Sequence, residues 1–128
     1  MNMEEFYSEQ VRDASVMQVK ADPGKTAADI GAGEGFITEG LLNAGCSVIA
    51  VDSSPDMISV LKQRFGHMRE VQVVLSGCSP IKLDDNCADY VFSHMQLCRA
   101  ESPAAFISEL KRIVKPGGRI AVTDLLLH

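Results

Sequence analysis

Clustered lysine and arginine are missing from this chain, and its formal net charge is −5. A protein that follows a phosphate backbone normally carries a basic face, so no nucleic acid is expected as its main ligand. Also missing is any apolar run near the roughly 18 residues of a membrane span. The opening residues Met1-Asn2-Met3-Glu4-Glu5-Phe6 are acidic where a signal peptide is basic. Together these absences predict no membrane partner and a cytoplasmic location. The four cysteines, Cys46, Cys78, Cys87 and Cys98, lack C-x-x-C spacing. A zinc site needs close ligand pairs, so they read as reduced thiols and no metal is expected.

No low-complexity run divides the chain, and 46% of its 128 residues are hydrophobic. That suits a single domain over residues 1–128 with a core of its own. Residues 3–20 hold Phe6, Val11, Ala14 and Met17 at a loose helical period without glycine or proline, which predicts a leading helix within residues 1–20. Strands are then expected over 26–30, 47–51, 71–75, 89–92 and 119–125, with helices over 35–43, 55–65 and from Ser102-Pro103 onward. Ser54-Pro55 is a start signal of the kind that caps a helix, with proline at the first helical position. The run Lys115-Pro116-Gly117-Gly118 is read as the turn into the fifth strand. Strands alternating with helices predict an α/β fold around a parallel sheet with right-handed crossovers.

The most informative stretch is Asp29-Ile30-Gly31-Ala32-Gly33-Glu34-Gly35-Phe36, followed by Val48-Ile49-Ala50-Val51-Asp52. It reads as strand, glycine turn, helix, and a second strand ending in a carboxylate. The glycines permit a sharp turn and a close approach of ligand to main chain. Asp52 lies where a doubly wound sheet delivers an acid to a ribose. A dinucleotide fingerprint needs G-x-G-x-x-G, but Phe36 occupies its third glycine position. A nucleoside without a pyrophosphate therefore suits the turn better, which disfavours an NAD-linked oxidoreductase.

This pattern resembles the first motif of the class I S-adenosylmethionine-dependent methyltransferases. The resemblance covers roughly residues 20–124 and includes Ala50-Val51-Asp52-Ser53-Ser54-Pro55-Asp56-Met57 and Leu110-Lys111-Arg112-Ile113-Val114-Lys115-Pro116-Gly117-Gly118. It is nearest to the small-molecule branch that holds the quinone-biosynthesis enzymes. It implies a Rossmann-like doubly wound sheet of order 3-2-1-4-5, truncated after strand five, because the family's sheet continues where this sequence stops. The chain is thus read as a fragment or a reduced member. The implied cofactor is S-adenosylmethionine, with S-adenosylhomocysteine as product, and the implied partner is a small-molecule methyl acceptor.

The resemblance also implies roles for individual residues. Asp52, with Ser53 beside it, would accept from the ribose hydroxyls. Gly31, Ala32 and Gly33 would pass close to the ligand. Asp29 would orient the turn or lie near the methionyl ammonium, and the two roles are compatible. Met57 matches a position that packs on adenine, and equally suits the core. Gly77-Cys78-Ser79 replaces the family's Gly-Asp-Ala, so the contact to the adenine amino group is lost or moves to Ser79 or a carbonyl, a thiol being a weak acceptor. Ser93 and His94 follow strand four, and His94 is the histidine placed for a general base, with a structural role as the alternative.

Methyl transfer asks mainly for alignment in a dry site, so the lack of a catalytic constellation does not count against it. The rival reading is a non-catalytic S-adenosylmethionine-binding or protein-interaction module. The uncovered edge of strand five further predicts a homodimer through that edge.

Overall fold

The computed structural model describes residue 12, residues 22–94 and residues 100–123. Of the expected leading helix only Arg12 lies among these; Cys98 and the segments 95–99 and 124–128 also fall outside them.

Among the described residues five strands and three helices follow in the order β1 (Thr26–Ile30), α1 (Phe36–Asn43), β2 (Ser47–Asp52), α2 (Pro55–Phe65), β3 (Val71–Leu75), β4 (Ala88–His94), α3 (Pro103–Ile113) and β5 (Val114–Thr123). The strands form one parallel sheet of order β3-β2-β1-β4-β5, the order that the family resemblance implies. Side chains alternate across it. Ala27, Tyr90 and Phe92 join Ile37, Leu41, Leu61 and Phe65 on one face, while Ala28, Val91 and Ala88 meet Phe106, Leu110 and Ile113 on the other. Both faces of the central strands are thus covered, which explains why Val48-Ile49-Ala50-Val51 of β2 is a continuous apolar run rather than an alternating one.

Helix starts follow local chemistry. Ser54 and Ser102 are extended, and their hydroxyls accept from the amides of Met57 and Ala105 at 3.4 and 3.3 Å, with proline next in each case. In α3 the apolar positions 106, 110 and 113 recur at helical spacing and are buried.

Three expectations are corrected. α1 begins at Phe36 rather than Gly35, because Gly35 is its N-cap at φ 95°, a left-handed conformation outside the helix. Its buried face is Ile37, Thr38, Gly40 and Leu41, whereas Phe36 and Leu42 are only partly buried. β5 begins at Val114, directly after α3, not after the Lys-Pro-Gly-Gly run. Ala88 pairs with Val114 and Tyr90 with Arg119, so residues 115–118 bulge out opposite Asp89 alone. Proline has no amide to give the ladder, which favours a bulge there. A side chain at Gly118 would meet the Asp89 carbonyl at 2.5 Å, so the strand closes tightly around the bulge. β4 also extends beyond the expected 89–92 at both ends.

Candidate active site

At the carboxyl ends of β1, β2 and β4, where the strand order reverses, lies a cleft of about 1050 Å³. Doubly wound sheets bind ligands at this switch point.

The turn after β1 forms one wall. The amides of Gly31 and Ala32 both donate to the Val51 carbonyl at 2.8 Å, which draws the turn against the end of β2. The Gly33 amide then donates to Asp52 Oδ2 at 2.8 Å, and the Ser54 amide to Oδ1 at 2.9 Å. A carboxylate offers about four acceptor sites, so this grip leaves each Asp52 oxygen a second lone pair. Gly33 sits at φ 57°, and a Cβ added to it would meet nothing within 4 Å. A ligand can therefore lie against bare main chain beside a carboxylate that still accepts.

Asp29 is buried, and its Oδ2 accepts from the Thr38 hydroxyl at 2.7 Å. Burial pushes its carboxyl up to about 6, the hydrogen bonds from Thr38 oppose the rise, and the nearby Asp52 charge adds to it. Sequence reasoning missed Thr38. The one signal was a hydroxyl at a position of the α1 inner face otherwise filled by apolar side chains. Because the native pKa is raised, ionising Asp29 weakens the fold as pH rises from about 4 to about 6.

The cleft brings together Asp29, Gly31, Ala32, Gly33, Asp52, Ser53, Met57, Cys78, Ser79 and His94. Gly77 and Ser93 are not in its lining; Ser93 is buried, and its hydroxyl has no partner among the described residues. Burial raises the Cys78 thiol above its ordinary value and the Asp52 charge adds to this, so a neutral thiol faces the cleft. His94 Nδ1 is 2.7 Å from Thr123 Oγ1, and its ring lies 6.1 Å from that of Phe36. The sequence did not mark the contribution of α3, whose Ser102 and Phe106 line the cleft together with Glu101 just ahead of them. No group of His, Cys, Asp or Glu among the described residues is arranged to hold a metal.

A family model described as a methyltransferase domain matches residues 28–122, from within β1 to within β5. The chain belongs to the methyltransferase domain family. An uncharacterized methyltransferase of Mycobacterium bovis is 36% identical over 73% of the chain, which spans 37% of that relative. A demethylmenaquinone methyltransferase of Clavibacter sepedonicus is 30% identical over 88% of the chain, with 46% of its own length covered. The crystal structure of a SAM-dependent methyltransferase from Aquifex aeolicus superposes with a TM-score of 0.79 at 26% identity, covering 87% of this chain and 62% of that one. The chain thus spans less than half the length of these two sequence relatives.

Proposed function

We propose that this methyltransferase domain binds S-adenosylmethionine in the cleft and transfers its methyl group to a small-molecule acceptor. The observation that carries the reading is Asp52, held by two amides with acceptor capacity left over beside the open main chain at Gly33. Two vicinal ribose hydroxyls match that arrangement, with Ser53 alongside. Asp29 would face the ligand's cationic portion, Gly31 and Ala32 would flank it, and Met57, Cys78 and Ser79 would surround its base. Gly77 and Ser93 would support that wall from behind. When bound, the cofactor supplies a methyl carbon on a positively charged sulfur, itself a good leaving group. The chain's share is then to orient the acceptor and exclude water, with His94 available to take a proton from a hydroxyl or amine. The cleft volume, about 1050 Å³, lies just above the roughly 300–1,000 Å³ usual for small-molecule sites, which leaves room for an acceptor beside a nucleoside. The Clavibacter relative, named for demethylmenaquinone, supports a small-molecule acceptor.

Incubation with methyl-labelled S-adenosylmethionine and a panel of phenols, amines and carboxylic acids tests the reading. Label in a product, matched by release of S-adenosylhomocysteine, is expected. Binding without transfer to any class would favour the non-catalytic module instead.

Affinity for S-adenosylhomocysteine is expected to fall as pH drops through about 6, where Asp29 gains its proton and loses its attraction for a cation. His94 lines the same cleft, so a variant must separate the two. Thr38→Val removes a hydrogen bond that lowers the Asp29 pKa, and should move the fall to higher pH, whereas Thr38→Ser should not. Calorimetric titrations from pH 5 to 8 check this, and identical profiles for all three proteins would contradict it.

A cytoplasmic location is also proposed, supported by the free thiols of Cys46, Cys78 and Cys87. So is a homodimer through β5. Among the described residues this strand lies at the sheet edge with Val122 exposed, and unpaired edge groups beside apolar side chains template pairing with another strand. Sedimentation should show a concentration-dependent dimer that Val122→Lys abolishes. Leu75→Lys, on the opposite edge at β3, should leave it intact; a monomer at every concentration would contradict the pairing.

A further inference from the structure

The loop from β3 to β4 carries Cys78 and Ser79 into the cleft, and it has no regular secondary structure to hold it there. What fixes it is a side-chain clamp from the last turns of α3. Arg112 donates through Nη2 to the Ile81 carbonyl at 2.8 Å, and through Nη1 to the Leu83 carbonyl at 2.9 Å and Asp85 Oδ1 at 2.6 Å. Its Nε and Nη2 meet the two Glu109 oxygens at 2.8 and 3.1 Å. Every N–H of the guanidinium is therefore engaged. Glu109 Oε1 in turn accepts from the Ile81 amide at 2.7 Å, so the pair grips both polar groups of one backbone residue. The Ile81 side chain is buried against the core, and the Ser76 hydroxyl accepts from the Lys82 amide at 2.8 Å, pinning the loop where it leaves β3. Ser79 lies only two residues before Ile81. The helix that ends in this clamp begins with Ser102 and Phe106 in the same cleft. One rigid element thus spans the cleft wall and the loop's anchor.

We propose that Arg112 and Glu109 are positioning residues that hold the Cys78-Ser79 wall in register with the base of the bound nucleoside, and so set the site's selectivity for that base. This rests on the S-adenosylmethionine reading above. Neither residue touches the ligand; both act through the Ile81 backbone. The planar fork of arginine matters, because a lysine is a point charge that cannot meet two carbonyls and two carboxylates in one plane.

The test compares S-adenosylhomocysteine with S-inosylhomocysteine, which carries a carbonyl in place of the adenine amino group. Calorimetry is run on the wild type, Arg112→Gln and Arg112→Lys, with thermal melts as a control for folding. The wild type should prefer the adenosyl ligand. Each folded variant should lose about tenfold in affinity for it while binding the inosyl ligand within about twofold of wild type, so that the preference collapses. Arg112→Lys keeps the charge and serves where Arg112→Gln does not fold. Equal losses for both ligands would make the clamp a general brace and overturn its role in selectivity, as would unchanged preference in the variants or no preference in the wild type. A folded wild type that binds neither ligand would overturn the cofactor reading, and the clamp's role with it.

Discussion

Asp52→Ala is expected to weaken S-adenosylhomocysteine binding tenfold or more. A hydrogen bond to a charged acceptor contributes about 1.5–3 kcal/mol, and about 1.4 kcal/mol is a factor of ten, so losing even one ribose contact reaches that threshold. The substitution also frees the Gly33 and Ser54 amides, which Asp52 holds at 2.8 and 2.9 Å, so part of the loss reflects a loosened turn. A cycle separates the two effects. The loss caused by removing the ligand's 2′-hydroxyl should be large against the wild type and nearly absent against Asp52→Ala, because the partner is already gone. Unchanged affinity in a folded Asp52→Ala protein would remove the assignment.

Gly35→Ala is expected to destabilise the domain by about 2–4 kcal/mol. The first contribution is backbone strain: Gly35 sits at φ 95°, where a non-glycine residue costs about 1–3 kcal/mol. The second is steric. The new Cβ would lie 2.3 Å from Phe65 Cε2 and 3.3 Å from Leu61 Cδ2, and overpacking a filled core costs about 1–3 kcal/mol. Phe65 can swing only by disturbing a cluster that includes Leu41, Leu61 and Tyr90. Chemical denaturation measures the effect, and a change below about 0.5 kcal/mol, the range of an ordinary surface substitution, would mean that α2 yields more readily than its packing suggests. The third glycine of the G-x-G-x-G run is thus kept by the close approach of Phe65 and by the backbone conformation, rather than by ligand contact.

The sheet was legible because its signals are local: apolar strands, Ser-Pro helix starts, and glycine at the sharp turn. Asp52 was legible for the same reason, since it ends a strand at a fixed distance from the turn. The features that escaped depend on contacts between distant elements. Nothing near Lys115-Pro116-Gly117-Gly118 announces that β5 has already begun at Val114, because pairing with Ala88 decides it. Thr38 reads as an ordinary helix residue until the fold sets it against Asp29. Arg112 lies inside a stretch that carried the family resemblance, yet its grip on Ile81, Leu83 and Asp85 joins segments about thirty residues apart in sequence. The share of α3 in the cleft escaped for the same reason: Ser102 was legible as a cap, but its place at the cleft wall is set by the crossover.

The central claim, a nucleoside cofactor held at Asp52 and the turn after β1, is tested most directly by calorimetric titration of the wild-type chain with S-adenosylhomocysteine and, separately, with NAD. The account predicts saturable one-to-one binding of S-adenosylhomocysteine and no saturation with NAD, since Phe36 stands where a dinucleotide turn needs its third glycine. Saturation with NAD, or a folded protein that gives no binding of S-adenosylhomocysteine, would contradict it.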